Sequence, residues 1–581
     1  MSFWVGCNYW ASNAGCNMWH NWDEQTVRED LALLSKSGMN CLRVFPIWSD
    51  FQPATPIYGA GGMIREYRMA DGSRPQNRWF LDETMLQRFE TLCDVAAENG
   101  IQLIVGLLTG WMSGGLFVPP VLNGINLRTD PRALLWEQRF VEGFVTRTKR
   151  HPAIVAWDHG NECNCMWHTA TRDEAAAWTM AITNAIRAND PTRPVITGIH
   201  DLSLNSVWHI EDQATACDML VTHPYPFWVQ HAAGHPLKSV KTMVHAAAQT
   251  AFYADIGGKP CLVEEIGTMG PMVCSDETGA AFARINMWHA HIFNRPGFLW
   301  WTSFDQPFDA PPYNVFAAER ELGLFTRDRQ PKAFMREITR MTEKLKTAPL
   351  CPDLHTDAVC ILAPATDSWK VAFAVSMMAA QAGITVKFHD GRHPLPDAKT
   401  YLLPAICGTA NLDKAIYDDL KARVNDGAKL YLSLCDGMLT EFEELTGLCI
   451  EDSAGGYTCR FSVDGVEVAG HGERQLFYRG EANGLHRHTY GNGVVYTLDF
   501  SPEQHLFDVD PENSPYYHIY REVFREERES YPIQSDDPAV RVVWHPVSDC
   551  CHVLNYSDTE KTVAGRVIPP FDAVLIKGDN T

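Results

Sequence analysis

Hydrophobic and polar positions follow two alternating periods along the first 345 residues or so. Short apolar runs rich in β-branched residues are each followed by a longer segment with apolar residues on one helical face, which predicts strands followed by amphipathic helices. The clearest helices span 23–37 and 82–99, and each ends at a glycine. Eight strands are predicted, at Phe3–Tyr9, Asn40–Pro46, Ile101–Leu107, Ile154–Asp158, Pro194–Ile199, Asp218–Thr222, Pro260–Glu264 and Gly297–Trp301.

Eight successive strand–helix units predict a (β/α)₈ TIM barrel over residues 1–345. The alternative is a doubly wound open sheet, but no glycine-rich phosphate-binding turn follows the first strand. The stretch 48–78 is rich in Gly and Pro and fits neither period, so we expect it to be irregular.

The pattern changes after Lys344. Strands at 358–363, 385–389 and 429–434, with helices at 369–382 and 413–425, predict a smaller flavodoxin-like α/β domain over 346–455. From about residue 456 the period switches to two, as in Val494, Tyr496 and Leu498 after an Asn-Gly turn. We therefore expect residues 456–581 to form a small β-rich domain.

Composition argues against some classes of function but does not identify one. The formal charge of −22 over 581 residues argues against nucleic acid and anionic membranes as partners. The 17 cysteines show no spacing typical of a zinc site, so no metal and no cofactor are predicted. No run reaches the ~18 apolar residues of a membrane span. The first ten residues, MSFWVGCNYW, lack a signal-peptide pattern, and with so many thiols we expect a cytoplasmic protein.

The candidate catalytic and binding residues lie at the carboxyl ends of the predicted strands, where barrels carry their active sites. Glu162 and Glu265 both end apolar runs there, and two carboxyls brought together can cleave a glycosidic bond. The other polar or aromatic residues at strand ends are Asn8, Arg43, Asn161, His223, Tyr225 and Trp301.

This set resembles the retaining glycoside hydrolases of clan A, nearest to family 5. The resemblance covers roughly the first 345 residues, with all motifs in order: Arg43 in CLRVFP, Asn161-Glu162, His223-Pro224-Tyr225, Glu265 in EEIG, and Trp300 or Trp301. It implies that Glu162 is the acid/base and Glu265 the nucleophile. Such roles need a pKa near ~6 for Glu162 and a low pKa for Glu265.

The resemblance also implies roles for the surrounding side chains. Arg43 and Tyr225 would stabilise the Glu265 anion, Asn161 would bind the sugar 2-OH, and His223 would orient Glu162 or a sugar hydroxyl. Asn8 would touch sugar or simply cap a loop. Alternation alone leaves Glu264 open as the nucleophile, because neighbours on a strand face opposite ways.

Tryptophans supply candidate sugar platforms, because indole rings stack on the apolar faces of pyranoses. Trp111, Trp167 and Trp228 follow strands three, four and six. Of the adjacent pair Trp300 and Trp301, we expect Trp301 to face the sugar and Trp300 to lie in the core.

Segment Ala358–Gly447 resembles the oligomerisation domain of family 42 β-galactosidases, which implies a homo-oligomer, most simply a trimer. The order of domains along the chain resembles that of family 5 subfamily 18 glycoside hydrolases. That resemblance implies a retaining exo-β-glycosidase acting on small imported oligosaccharides, in particular a β-mannosidase for mannose-β-1,4-N-acetylglucosamine from N-glycan cores. The alternatives are a β-galactosidase or β-glucosidase and, outside enzymes, a catalytically dead sugar-binding or assembly protein.

Overall fold

The computed structural model describes residues 3–306, 309–409, 411–480, 484–506 and 514–577. The chain divides into two compact units. The first contains Met1–Tyr225, Gly257–His291 and Arg295–Pro349, and the second contains Pro226–Ile256, Ile292–Asn294 and Leu350–Thr581.

The first unit is built on an eight-stranded parallel sheet that curls into a barrel. The strands are β1 Trp4–Asn8, β2 Cys41–Val44, β3 Gln102–Gly106, β4 Ile154–Asp158, β5 Val195–Ile196, β6 Leu220–Thr222, β7 Cys261–Ile266 and β8 Gly297–Trp300. Their order is β6-β7-β8-β1-β2-β3-β4-β5, and a parallel bridge between Ile196 and Met219 joins the two ends. The predicted TIM barrel is confirmed, and all eight predicted strands are present.

Apolar side chains from the barrel strands pack into one buried cluster. Parallel barrel strands are buried on both faces, which explains why they are continuous apolar runs in the sequence. The cluster contains Trp4, Cys41, Ile104, Ala156, Ile196, Met219, Val221, Leu262 and Leu299.

Helices of the first unit begin at the capping residues that the sequence indicates. Asp23 accepts a hydrogen bond from the Gln25 amide at the start of Glu24–Lys36, and Asp82 accepts one from Met85 at the start of Glu83–Glu98. The other helices along this part of the chain are Trp48–Phe51, Pro131–Thr148, Cys163–Met166, Arg172–Asn189, Ile210–Ala216, Asp276–Ile292 and Ala333–Thr347.

The stretch after β2 is more regular than expected. Strands Ala54–Tyr58 and Ile64–Met69 pair as an antiparallel hairpin within the Gly/Pro-rich segment that was predicted to be irregular. A proline, Pro56, sits inside the first strand, where it obscures the strand signal. A second, shorter hairpin pairs Trp111–Met112 with Gly115–Leu116.

The second unit contains a six-stranded sheet. Five parallel strands, β9 Ala358–Leu362, β10 Val386–Asp390, β11 Thr400–Ile406, β12 Lys429–Leu434 and, later, Gly493–Leu498, give the flavodoxin-like α/β arrangement. A long hairpin, β13 Ile450–Val463 and β14 Val466–Tyr478, interrupts this series. Strands β15 Leu485–Tyr490 and β16 Gly493–Leu498 were predicted to lie in the C-terminal β domain, but β16 pairs with β12 and β15 with β16.

A small three-stranded antiparallel sheet ends the second unit. It consists of β17 Val540–His545, β18 Cys550–Asn555 and β21 Ala573–Lys577, with the short pair β19 Lys561–Val563 and β20 Arg566–Ile568 between. Helices here are Gln230–Ala233, Val240–Gly257, Ser368–Ala382, Lys414–Asn425, Phe442–Thr446, Pro502–His505, Tyr517–Val523 and Arg525–Glu529. Among the described residues, none of the helices has the length and apolar character needed to cross a bilayer.

Candidate active site

A fully buried guanidinium lies at the carboxyl ends of the barrel strands. Arg43 at the end of β2 is 0% exposed. It donates to Asp158 from Nε at 2.8 Å and to Glu265 from Nη1 at 2.6 Å, and its Nη2 lies 3.3 Å from Glu264. One cation therefore links carboxylates from two other strands, β4 and β7.

Two asparagine amides orient this guanidinium. The Asn8 oxygen accepts from Arg43 Nη1 at 3.3 Å, while its amide nitrogen donates to the Glu264 carbonyl at 3.0 Å. The Asn161 oxygen also accepts from Nη1, at 3.0 Å, and its nitrogen donates to the Trp111 carbonyl at 3.1 Å. Asn8 is fully buried and its amide nitrogen also donates to the Trp300 carbonyl at 3.3 Å, so both of its N–H groups are used by the protein and it positions Arg43 rather than touching sugar.

The two predicted catalytic carboxylates lie close together. One oxygen each of Glu162 and Glu265 and a ring nitrogen of His223 all lie within 4.8 Å of one another. His223 Nδ1 is 2.9 Å from Glu162 Oε1 and 3.5 Å from Glu265 Oε2. The Tyr225 hydroxyl donates to Glu265 at 3.0 Å.

Backbone geometry places Glu162. Its φ of 44° and ψ of 53° are left-handed, a conformation that non-glycine residues rarely adopt outside turns and functional sites. The loop after β4 approaches the loop after β5 closely: the Gly198 carbonyl accepts from the Cys163 amide at 3.3 Å. A Cβ on Gly198 would lie 1.9 Å from an Asp158 oxygen, so only glycine fits there.

Glu264 and Glu265 both reach the polar cluster, contrary to the expectation that they face opposite ways. Besides its contact with Arg43, Glu264 accepts from His223 Nε2 at 3.2 Å. The register between β7 and β8 shifts between Val263 and Ile266, which breaks the alternation at this point. Glu264 is fully enclosed, whereas Glu265 keeps a small exposed fraction beside Glu162 and Tyr225.

The surroundings of His223 and Glu162 shift the pKa values of the two side chains in opposite directions. Burial alone would lower the pKa of His223, but the nearby carboxylates Glu265, Glu162 and Glu264 raise it to about 10. Burial would raise the pKa of Glu162, but the imidazoles of His200 and His223 outweigh it and lower that pKa to about 2. The expected raised pKa of Glu162 is therefore wrong for this structure, because the imidazoles of His200 and His223 both favour its anion.

Glu265 also departs from expectation. Burial and the charges of Glu162 and Glu264 raise the pKa of Glu265, against the lowering effect of His223 and Arg43. The expected low pKa of Glu265 is therefore wrong, because Glu265 shares one buried pocket with the carboxylates of Glu162 and Glu264. The hydrogen bonds from Arg43 and Tyr225 go to its two separate oxygens and favour the anion.

Trp300 ends β8 and Trp301 follows it, and the two indoles have different surroundings. Trp300 is buried and stacks on Phe334 at 5.2 Å between ring centroids. Trp301 packs edge-on against Phe45, the ring under Arg43, and its indole N–H donates to Glu319 at 3.1 Å. Trp301 thus lies on the Arg43 side.

The three predicted platform tryptophans differ in their surroundings. Trp111 is half-buried in its short hairpin, and Trp167 is half-buried directly after the helix that Glu162 precedes. Trp228 is 52% exposed, packs edge-on against Phe227, and belongs to the second unit.

The family described as cellulase (glycosyl hydrolase family 5) matches residues 6–304, just over half of the chain. The chain belongs to glycoside hydrolase family 5. The matched range runs from within β1 to beyond β8 and includes every residue of the cluster around Arg43.

Solved structures show the same fold in family 5 and elsewhere. An exo-β-1,4-mannosidase from Opitutaceae bacterium strain TAV5 has a TM-score of 0.72 at 21% identity, covering 89% of this chain and 95% of that one. A subfamily 18 enzyme from Streptomyces cattleya, in complex with Manβ1-4GlcNAc, has a TM-score of 0.57 at 22% identity, covering 67% and 94%. A β-galactosidase from Rahnella sp. R3 has a TM-score of 0.71 at 12% identity, covering 99% and 98%, which supports the likeness to β-galactosidase accessory domains.

A curated relative is the mannan endo-1,4-β-mannosidase F of Aspergillus clavatus, which is 24% identical over 246 residues. The match spans 40% of this chain and 55% of the length of that mannosidase.

The family 5 site contains residues that the sequence patterns did not single out. Asp158 ends β4 and His200 follows β5, so the rule that selected Glu162 would have found both. His200 stacks on His223 at 5.6 Å, and its Nδ1 is 3.5 Å from Glu162. Glu319 ends a short 3₁₀ helix, Ala317–Glu319, that carries no motif. Burial raises its pKa to about 7, against the lowering effect of the hydrogen bonds from Trp301 and Ser113.

Proposed function

We propose that this protein is a retaining exo-β-glycosidase, with Glu265 as the nucleophile and Glu162 as the acid/base. The separation of at most 4.8 Å between an oxygen of each carboxylate carries the proposal. Retaining glycosidases have their two carboxyls about 5–5.5 Å apart, whereas inverting enzymes need about 6.5–9.5 Å to admit a water.

In the first step, a Glu265 oxygen attacks the anomeric carbon and the aglycone leaves with a proton from Glu162. Arg43 and Tyr225 donate hydrogen bonds to Glu265, so they align the attacking oxygen. Both donors are buried, which makes their alignment independent of solvent.

Glu162 obtains its proton from His223 in this scheme. The imidazolium of His223 lies 2.9 Å from Glu162, and its raised pKa keeps the proton in the site at neutral pH. In the second step Glu162 accepts a proton from water, which attacks the glycosyl–Glu265 ester and releases the sugar with retained configuration.

We propose mannose-β-1,4-N-acetylglucosamine as the substrate. The supporting observation is the likeness of this fold to the Streptomyces cattleya enzyme in complex with that disaccharide and to an exo-β-1,4-mannosidase. Asn161 would bind the 2-OH, and Trp301 would lie under the sugar ring. Such a small substrate suits the expected cytoplasmic location.

A β-galactosidase is the second candidate, because the Rahnella enzyme matches 99% of this chain. Endo-mannanase action is suggested by the curated relative. Initial rates on the disaccharide, on p-nitrophenyl β-mannoside, β-galactoside and β-glucoside, and on linear β-1,4-mannan separate the three. Faster turnover of the galactoside, or a fall in mannan viscosity before free mannose accumulates, would overturn the exo-mannosidase assignment.

Glu265→Ala and Glu162→Ala are expected to lower kcat by about 10²–10⁴-fold, because each removes a reacting group. Added azide should restore turnover in both, with an α-glycosyl azide from Glu265→Ala and a β-glycosyl azide from Glu162→Ala. Glu98→Gln, on the surface, is the control and should keep full activity. An α-anomer as the first product of the wild-type enzyme, followed by NMR, would exclude retention.

A further inference from the structure

The second unit contains a buried group of cysteine and histidine side chains that the proposed function does not use. Cys550 and His552 lie two residues apart on β18 and therefore share a face of the sheet. His545 on β17 is paired directly with Cys550. Cys351, from the segment before β9, completes the group, which we call the Cys2His2 cluster.

Ligating atoms of Cys351, His545 and His552 lie close together, and the Cys550 sulfur contacts the Cys351 sulfur. His552 Nδ1 lies 3.0 Å from His545 Nε2, and the Cys351 and Cys550 sulfurs are 3.5 Å apart. One ligand atom each from Cys351, His545 and His552 lies within 4.8 Å of the other two. In tetrahedral zinc sites, bond lengths of about 2.3 Å to sulfur and 2.0 Å to nitrogen give edges of about 3.8 Å and 3.3 Å.

The cluster is enclosed and its outlying member is tethered. All four side chains are at most 4% exposed. The Asp353 carboxylate, two residues after Cys351, accepts hydrogen bonds from the Val547 and Ser548 amides in the turn between β17 and β18. The ligands are therefore brought together by protein contacts before any ion binds.

We propose that Cys351, His545, Cys550 and His552 form a structural zinc site. Two thiolates and two imidazoles are a donor set that favours Zn²⁺ over harder cations such as Mg²⁺. Burial of all four ligands leaves no open position for substrate or water, as in structural rather than catalytic sites. The ion joins the segment that begins at Leu350 to the last sheet of the same unit.

A disulfide between the two cysteines does not explain the arrangement. The sulfurs are 3.5 Å apart, whereas a covalent bond needs about 2.05 Å. A disulfide also gives no reason for two histidine nitrogens to meet beside it. The sequence patterns missed the site because Cys351 is 199 residues from Cys550 and the other three ligands are spaced as H-x₄-C-x-H.

The test is metal analysis of the full-length chain, purified without chelator and dialysed. We expect about one equivalent of zinc per chain by mass spectrometry. After growth in cobalt, we expect thiolate-to-cobalt charge-transfer bands together with the strong visible bands of tetrahedral Co²⁺. Absence of zinc together with absence of these bands, or a Cys351–Cys550 disulfide in unreduced peptide maps, would overturn the proposal.

Substitutions of single residues test which side chains bind the ion. Cys351→Ser and His552→Ala are expected to lose the bound zinc, while Cys551→Ala should keep it, because Cys551 lies on the opposite face of β18 in an apolar cluster. Glu162→Gln should also keep it, which separates this site from the Glu162–His223–Glu265 group. Zinc retained by both ligand variants would contradict the assignment, and the wild-type measurements stand even if a variant does not fold.

Discussion

At the scale of single residues, the site depends on one buried cation among several carboxylates. Arg43 is paired with Asp158 and Glu265 and lies close to Glu264, and burial raises the pKa of Asp158 to about 8 despite that pairing. Desolvating so many charges costs stability unless their geometry is excellent. The same contacts make the site rigid, because the hydrogen bonds that satisfy Arg43 also fix the direction in which Glu265 points.

His223→Gln is expected to move the basic limb of the kcat/KM pH profile to lower pH. In the wild-type chain the raised pKa of His223, about 10, keeps a proton beside Glu162 through neutral pH. Without the imidazole, Glu162 must carry that proton alone, and a carboxyl loses it at lower pH than an imidazolium of raised pKa. Initial rates from pH 4 to 10 measure the shift.

The control for this variant is His20→Gln, which removes a mostly exposed imidazole that pairs with Asp50. Its profile should follow the wild type. An unchanged basic limb in His223→Gln would mean that Glu162 does not depend on His223 for its proton, and a loss of activity equal at every pH would indicate a purely structural role.

At the scale of elements, the apolar runs predict where the strands lie, but the alternation of residues along a strand does not always predict which way a side chain points. Strand β4 has the predicted bounds, Ile154–Asp158, because a buried parallel strand is a continuous apolar run. The register shift in β7 has no sequence signal, so alternation misjudged Glu264. The hairpin after β2 was missed because Pro56 and several glycines resemble loop composition.

Gly198→Ala is expected to destabilise the protein and lower kcat, because a Cβ there would lie 1.9 Å from Asp158 and 2.1 Å from the Gly160 carbonyl. Left-handed backbone costs alanine about 1–2 kcal/mol, and the clash adds about 1–3 kcal/mol. Thermal unfolding and kcat on the disaccharide measure both effects.

Gly124→Ala is the matched control, since Gly124 is also left-handed, with φ of 74°, but has no atom within 4 Å of the added Cβ. The Gly124→Ala variant should lose only the stability that a left-handed backbone costs alanine, and its kcat should be unchanged. If the two variants proved equally stable and equally active, the contact between the loops after β4 and β5 would not be what positions Glu162.

At the scale of the whole molecule, the order of domains can be read from the sequence, but long-range pairing cannot. Strands β15 and β16 alternate as expected of a β domain, yet β16 pairs with β12 across the long hairpin β13–β14. The Cys2His2 cluster was missed for the same reason, since its members meet only after the chain has folded. Hydrophobic periodicity and composition describe residues that are neighbours in the sequence, whereas these contacts join segments that are far apart in the sequence.

The predicted homo-oligomer rests on the likeness of Ala358–Gly447 to an oligomerisation domain. We expect the purified chain to sediment at three times its 65.3 kDa mass at micromolar concentration. Dilution should dissociate it only far below micromolar, because obligate interfaces are large and apolar. Sedimentation velocity over a thousandfold dilution series, with activity measured in parallel, tests this. A 65.3 kDa species at micromolar concentration would refute the assembly while leaving the barrel chemistry untouched, since every residue assigned to the reaction lies within one chain.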